Sequence, residues 1–302
     1  MAVGRHTTGS FPRTLQLGLD KLIDHDSKAL PVKYTELFET VPMKKAFIEA
    51  MMPTGMGLAL PRGEGEELTM ESMRQHWQFQ YAAVTYEKSC RMTMEAIDDD
   101  QYIDLIPMYA KQISKSLMRA KDINCANILN NGFSSTATPL AETLFKTTHA
   151  LPDGTTLANR PTSELDLSED AIEQMVRLVD KFKNNDGLKS LYEADALVIP
   201  LDLKYEAARI LKNVDRPGTA ERDINALYLL KDVKRIVVWK ELTDTDAWFI
   251  TTNADNGFFL GQKMEPTSYT TTKDNRDVIY SRMERYVPGF WDFRCAVGTS
   301  GA

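Results

Sequence analysis

Residues 77–132 decide the fold: WQFQYAAVTYE over Trp77–Glu87, then a path through Asp98-Asp99-Asp100, then a long run closed by Asn130-Asn131-Gly132. In the first part Trp77, Phe79, Tyr81 and Thr85 fall on alternate positions, which predicts a β-strand. After the three aspartates the period changes. Ile103, Ile106, Ala110, Ile113, Leu117 and Ala120 stand three or four apart, the spacing of one helix face. Asn and Gly tolerate the left-handed backbone that closes a helix, so the predicted helix spans 98–132. An extended ribbon feeding one long helix suits a subunit that reaches over its neighbours. The pattern points to assembly rather than to chemistry.

The 302 residues suffice for one large domain or two smaller ones. The net charge of −7 argues against a binder driven by phosphate neutralisation, which needs a basic excess on one face. It does not argue against a shell that merely encloses nucleic acid. No apolar run approaches the roughly 20 residues of a membrane span. Met1–Arg13 has no apolar signal-peptide core, so the expected product is cytosolic when made, with no membrane partner. Cys90, Cys125 and Cys295 are odd in number and widely spaced. They are expected to be reduced packing residues rather than a disulfide framework or zinc site.

Outward from the ribbon and helix, residues 1–52 read as an N-terminal arm. Pro31, Pro42 and Pro53 break the segment, while Phe38, Met43, Phe47 and Ile48 can pack on another surface. Residues 53–97 read as an extended β-hairpin whose tip, Pro61–Glu67, has two glycines and three acids. Leu144–His149 is a candidate short strand. Leu167-Ser168-Glu169-Asp170 opens a second helix, with Ser168 as N-cap, acids in the first turn and Leu167 stapled on Ile172. Its stripe is Ile172, Met175, Val176, Val179 and Phe182, and it is expected to end near Asn184. Strands follow at Ala196–Ile199, Arg235–Trp239 and Ala247–Ile250, with a helix over Leu201–Asn213 between the first two. This order describes a mixed α/β region. Arg276–Val297 is strand-like again.

No constellation carries chemistry. His6, His25, His76 and His149 lie in no HxH or HExxH spacing and read as polar surface. Asp98-Asp99-Asp100 would make a poor chelate, because adjacent helical residues do not share a face. Capping and dipole compensation explain the triplet better. Gly63-Glu64-Gly65 lacks the Lys of a phosphate loop. No serine or cysteine sits in a nucleophile motif. The Trp77/Phe79/Tyr81 stripe reads as subunit packing rather than a base-stacking platform. No catalytic, cofactor-binding or metal residue is assigned, and no enzyme activity is expected.

The chain resembles tailed-phage major capsid proteins of the Hong Kong 97 fold, in the Mu-like major head subunit group. The resemblance runs over roughly 34–300. It rests on Tyr81–Glu87 with Asp98–Asp100, Ile128–Phe133, Leu144-Phe145 with His149 and Asn159, Leu167–Ile172, Leu197–Pro200 with Ala207–Leu211, and Leu242–Asp244 with Ala247–Phe249. It implies an α+β fold with an N-terminal arm (1–52), an extended loop (53–97), a peripheral domain with a spine helix (98–165), an axial domain (166–264) and a return to the peripheral domain (265–302). It implies pentamers and hexamers in an icosahedral shell that encloses double-stranded DNA without sequence-specific binding. A portal and decoration proteins are further implied partners. No acidic helical prefix precedes the arm, so a separate scaffolding protein is expected. The implied location is the virion, after synthesis in the host bacterial cytoplasm. The ribbon offers only Lys88, away from its tip, so Lys–Asn cross-linking is not carried over. An encapsulin-like compartment and a soluble enzyme with an unrecognised site are the alternatives.

Overall fold

The structure, a computed structural model, describes residues 31–53, 59, 61–65, 75–93, 95, 105–134, 143–151, 154–185, 187–214, 224–254, 257–275 and 277–302, with backbone alone at 51–53, 75–77 and 105–107. The aspartate triplet, most of the arm, and His6 and His25 lie outside the described residues.

Two four-stranded sheets organise the chain. The first has the order β1 (Glu39–Pro42), β10 (Phe258–Thr272), β11 (Val278–Phe290), β4 (Val84–Met92). β1 runs parallel to β10, and the other pairs are antiparallel. The second has the order β12 (Ala296–Thr299), β9 (Trp248–Thr252), β7 (Ala194–Ile199), β8 (Arg235–Val238), with only β7 and β8 parallel. A separate ribbon pairs β2 (Phe47–Pro53) with β3 (Gln75–Ala82), and β5 (His149–Ala150) pairs with β6 (Thr156–Leu157).

The helix α1 is described over Leu105–Asn130, 26 residues or about 39 Å long. Of the expected stripe, Ala110, Ile113 and Leu117 are buried and pack with Met92, Val278 and Tyr280 against β4 and β11, Ala120 is half-buried, and the side chains of Ile103 and Ile106 lie outside the described residues. Its end differs from expectation in mechanism. Neither Asn131 nor Gly132 has a positive φ. Glycine is required by close approach instead, since a Cβ at Gly132 would lie 2.6 Å from the Phe145 ring.

α2 (Glu169–Asp180) begins as read. Ser168 accepts from Ala171 N at 3.2 Å, and Ile172, Met175, Val176, Val179 and Phe182 are buried. It stops short of Asn184, at a turn in which the N–H groups of Lys181 and Phe182 donate to Leu178 and Val179 carbonyls. α3 (Lys204–Lys212) falls inside the expected span. α4 (Ala226–Leu230), five residues capped by Asn225, has no helical period to betray it.

The second sheet is buried on both faces, which explains its continuous apolar runs. Leu197, Ile199, Trp248 and Ile250 face α2 and α3, whereas Ala196, Val198, Val237 and Phe249 face a central core. That core also holds Leu129 of α1 and Phe258, Leu260, Tyr286 and Phe290 of the first sheet, so both sheets share one interior.

Three local readings change. The Trp77–Glu87 stretch is two strands parted at Ala83: β3 belongs to the ribbon and β4 to the first sheet. The ribbon's first strand begins at Phe47, within the stretch read as arm. Leu144 and Phe145 form bends, and the strand there is only His149–Ala150, because both apolar side chains turn into the central core.

Candidate assembly surfaces

Three polar knots fix the frame that any assembly surface depends on. The first surrounds Asn159, which is fully buried. Its Nδ2 donates to the carbonyls of Leu144 and Phe293 at 2.8 and 3.0 Å, and its Oδ1 accepts from Lys146 N at 2.8 Å. His149 Nε2 lies 3.0 Å from the same Oδ1, which makes that nitrogen the donor in the neutral ring. The imidazole stacks on Phe293 at 4.0 Å between centroids. His149 is 4% exposed, which corrects its reading as polar surface. Burial lowers its pKa to about 4, outweighing the Asn159 hydrogen bond that favours the charged form. His76 lies in β3.

The second knot joins α1 to the first sheet and to the backbone at Lys33-Tyr34. Lys121 Nζ meets Glu284 Oε2 at 2.6 Å with both side chains nearly inaccessible. Burial raises the Glu284 pKa and the Lys121 charge opposes that rise. One residue on, Asp122 Oδ1 accepts from the backbone N–H groups of Lys33 and Tyr34 at 3.0 and 2.9 Å. Nearby, Asn124 donates to Tyr286, and Tyr286 stacks on Tyr86 at 4.4 Å. The third knot is Arg294, which donates to Asp292 at 2.7 Å and to Asn185 at 2.9 Å inside the protein.

All three cysteines are free thiols. Burial pushes the thiol pKa of each upward, Cys295 most completely. None has the depressed pKa of a nucleophile. Among the described residues, no three His, Cys, Asp or Glu side chains are placed to hold a metal ion, and no helix is long and apolar enough to cross a membrane. A cavity of about 150 Å³ is lined by Leu37, Asp195, Arg235, Thr251 and Cys295 among others. Its Asp195–Arg235 pair is satisfied internally at 2.7 Å.

Exposed apolar side chains concentrate around the second sheet and its helices. Leu191 is 94% exposed, Ile224 73% and Tyr205 71%, with Leu201, Val214, Tyr228, Leu229 and Leu230 beside them in sequence. Apart from Leu191, which precedes β7, they lie on or near α3 and α4 in sequence, whose other sides face the core through Ala207, Ile210 and Leu227. A monomeric soluble protein rarely exposes so many large apolar groups on neighbouring elements. The ribbon is a second surface. Ala50, Phe79 and Tyr81 pack its base on Phe259, and Tyr81 Oη donates to the Phe290 carbonyl at 3.0 Å. Beyond the base, Pro61–Gly65 is exposed, with Gly65 in a left-handed turn at φ 86°. The exposed α3/α4 residues were not picked out from the sequence, because an apolar residue there reads equally well as core.

Residues 78–298 match the model of a family described as phage capsid protein. The match covers most of the chain, and the chain belongs to this family. No match was found among curated proteins. Among solved structures the chain is similar to a virus-like particle from Pyrococcus furiosus, with TM-score 0.56 and 11% identity over 93% of this chain and 97% of that one. It is also similar to the capsid of a native GTA particle, with TM-score 0.57 and 12% identity over 89% and 90%. The procapsid of bacteriophage JBD30 gives TM-score 0.54 and 11% identity over 98% and 77%. At these identities the likeness concerns the fold, which is the Hong Kong 97-type α+β capsid fold.

Proposed function

We propose that this member of the phage capsid protein family is the major head subunit of an icosahedral shell, assembled as pentamers and hexamers around double-stranded DNA. The observation that carries the reading is the exposed apolar set on α3 and α4, which burial against further copies would cover. In this reading 1–52 is the arm and 53–97 the extended loop. Residues 98–165 with 265–302 form the peripheral domain, and 166–264 the axial domain. The sheet connectivity blends these regions, since β10 crosses the last boundary and β12 pairs with β9 of the second sheet. A scaffolding protein, a portal and decoration proteins would be the partners, and host cytoplasm the place of synthesis. The role is structural, and no reaction is assigned.

Expression of the full chain with its scaffold, followed by negative-stain microscopy and nuclease treatment, tests the proposal. Closed particles that acquire nuclease-protected DNA when packaging is supplied are expected. Monomers at high concentration would overturn the shell, and closed particles that hold only protein cargo would overturn the DNA-filled reading.

A further inference from the structure

The first sheet has two faces of different charge. On the face that carries α1, the described residues include Lys111, Lys115, Arg119 and Lys121 of the helix. Lys88 and Arg282 join them, a cross-strand pair of β4 and β11. Lys88 shares its face with Tyr86, Cys90 and Met92, which pack on the helix. Leu105–Lys121 contains no acid at all, in a chain where acids outnumber bases 43 to 36. Among the described residues, the acids on this face are already engaged. Glu284 holds Lys121, Asp122 holds the Lys33-Tyr34 backbone, and Glu36 pairs with Lys33. Glu241 reaches Arg119 at 3.4 Å, but the Arg119 side chain remains 73% exposed. Lys111, Lys115 and Arg119 repeat every fourth residue, which sets three cations along one side of the helix about 6 Å apart. The opposite face of the sheet presents Thr85, Glu87, Ser89 and Arg91 of β4 and Ile279, Ser281, Met283, Arg285 and Val287 of β11, close to neutral overall.

We propose that the helix-bearing face of the first sheet meets the enclosed DNA, with Lys115 and Arg119 as its principal phosphate contacts. This rests on the capsid reading. A linear row of cations on a rigid helix suits a linear polyanion, because the row is ordered before contact and each neutralised phosphate releases a counterion. Nothing in it reads base edges, so the contact is independent of sequence.

The test is the salt dependence of binding between a short duplex of random sequence and the soluble full-length subunit. Closed shells are not needed, so failure to assemble would strike the capsid reading and leave this measurement standing. Each lost phosphate contact lowers the slope of log affinity against log salt by about 0.9, so Lys115→Gln with Arg119→Gln should lower it by about 1.8. Lys181→Gln with Lys189→Gln, an equal charge change on exposed residues that follow α2, should leave the slope as in the parent. An unchanged slope in the first pair, or equal falls in both, would overturn the proposal.

Discussion

Acid should loosen this subunit through His149, and the size of the effect follows from its surroundings. The ring is 4% exposed, stacked on Phe293 and held as a neutral donor to Asn159. Its pKa falls from 6.5 to about 4 in the folded chain, through burial first. Between those values the unfolded chain binds a proton that the folded chain does not. Stability therefore falls as pH drops below about 6.5, and the loss is complete below about 4. At about 1.36 kcal/mol per pH unit the full loss is about 3 kcal/mol, a large part of a typical folding free energy. Other buried groups are shifted as well. Glu284 and Asp292, raised by burial, pull the opposite way, because their folded forms take up protons first. The comparison must therefore be with a variant. His149→Gln keeps a donor and removes the titration. Urea unfolding of the soluble subunit at pH 7, 5.5 and 4.5 should show the parent losing about 2–3 kcal/mol more than the variant over that range. Identical pH dependence in both would refute the assignment of a buried neutral imidazole.

Ile113→Asp should cost several kcal/mol and give insoluble subunits, since it buries a charge among Met92, Leu117 and Tyr280. The same change at exposed Gln112 should stay within about 0.5 kcal/mol, as read by thermal unfolding. Glu284→Gln should cost about 3–5 kcal/mol by stranding buried Lys121, and replacing both residues with Met should recover most of it; a single variant as stable as the parent would show the pair to be idle. Limited proteolysis should cut free subunits first at Pro61–Gly65 and spare that segment in particles, and equal rates in the two states would remove the ribbon tip from the interface.

What was legible in the sequence is what a period reports. The Ala110, Ile113 and Leu117 part of the α1 stripe, the α2 cap and stripe, and the doubly buried strands Ala196–Ile199 and Trp248–Ile250 all stand where the sequence pattern put them. What escaped depends on contacts far apart in the chain. No local signal says that Phe47–Pro53 pairs with Gln75–Ala82. Nor does any say that β1 lies parallel to β10 across more than two hundred residues. Ala83 was unremarkable in the alternating run, yet it is where one strand passes from ribbon to sheet. His149 looked like surface because its partners, Asn159 and Phe293, are ten and more than a hundred residues away. The exposed groups on α3 and α4 carry no sequence mark, since exposure belongs to the fold.

The same distances explain why polar side chains sit so deep. Apolar burial is non-directional and holds the sheets together without fixing how they meet. The directional contacts do that at a few points, and two of them are adjacent on one helix. Lys121 engages the first sheet through Glu284, while Asp122 takes the two backbone donors of Lys33 and Tyr34. Neighbouring helical residues point about 100° apart, so one turn of α1 addresses two partners on different sides. The placement of Lys33 and Tyr34 is thereby tied to the seating of the helix on its sheet. An apolar pair at 121 and 284 could supply stability, but not the placement.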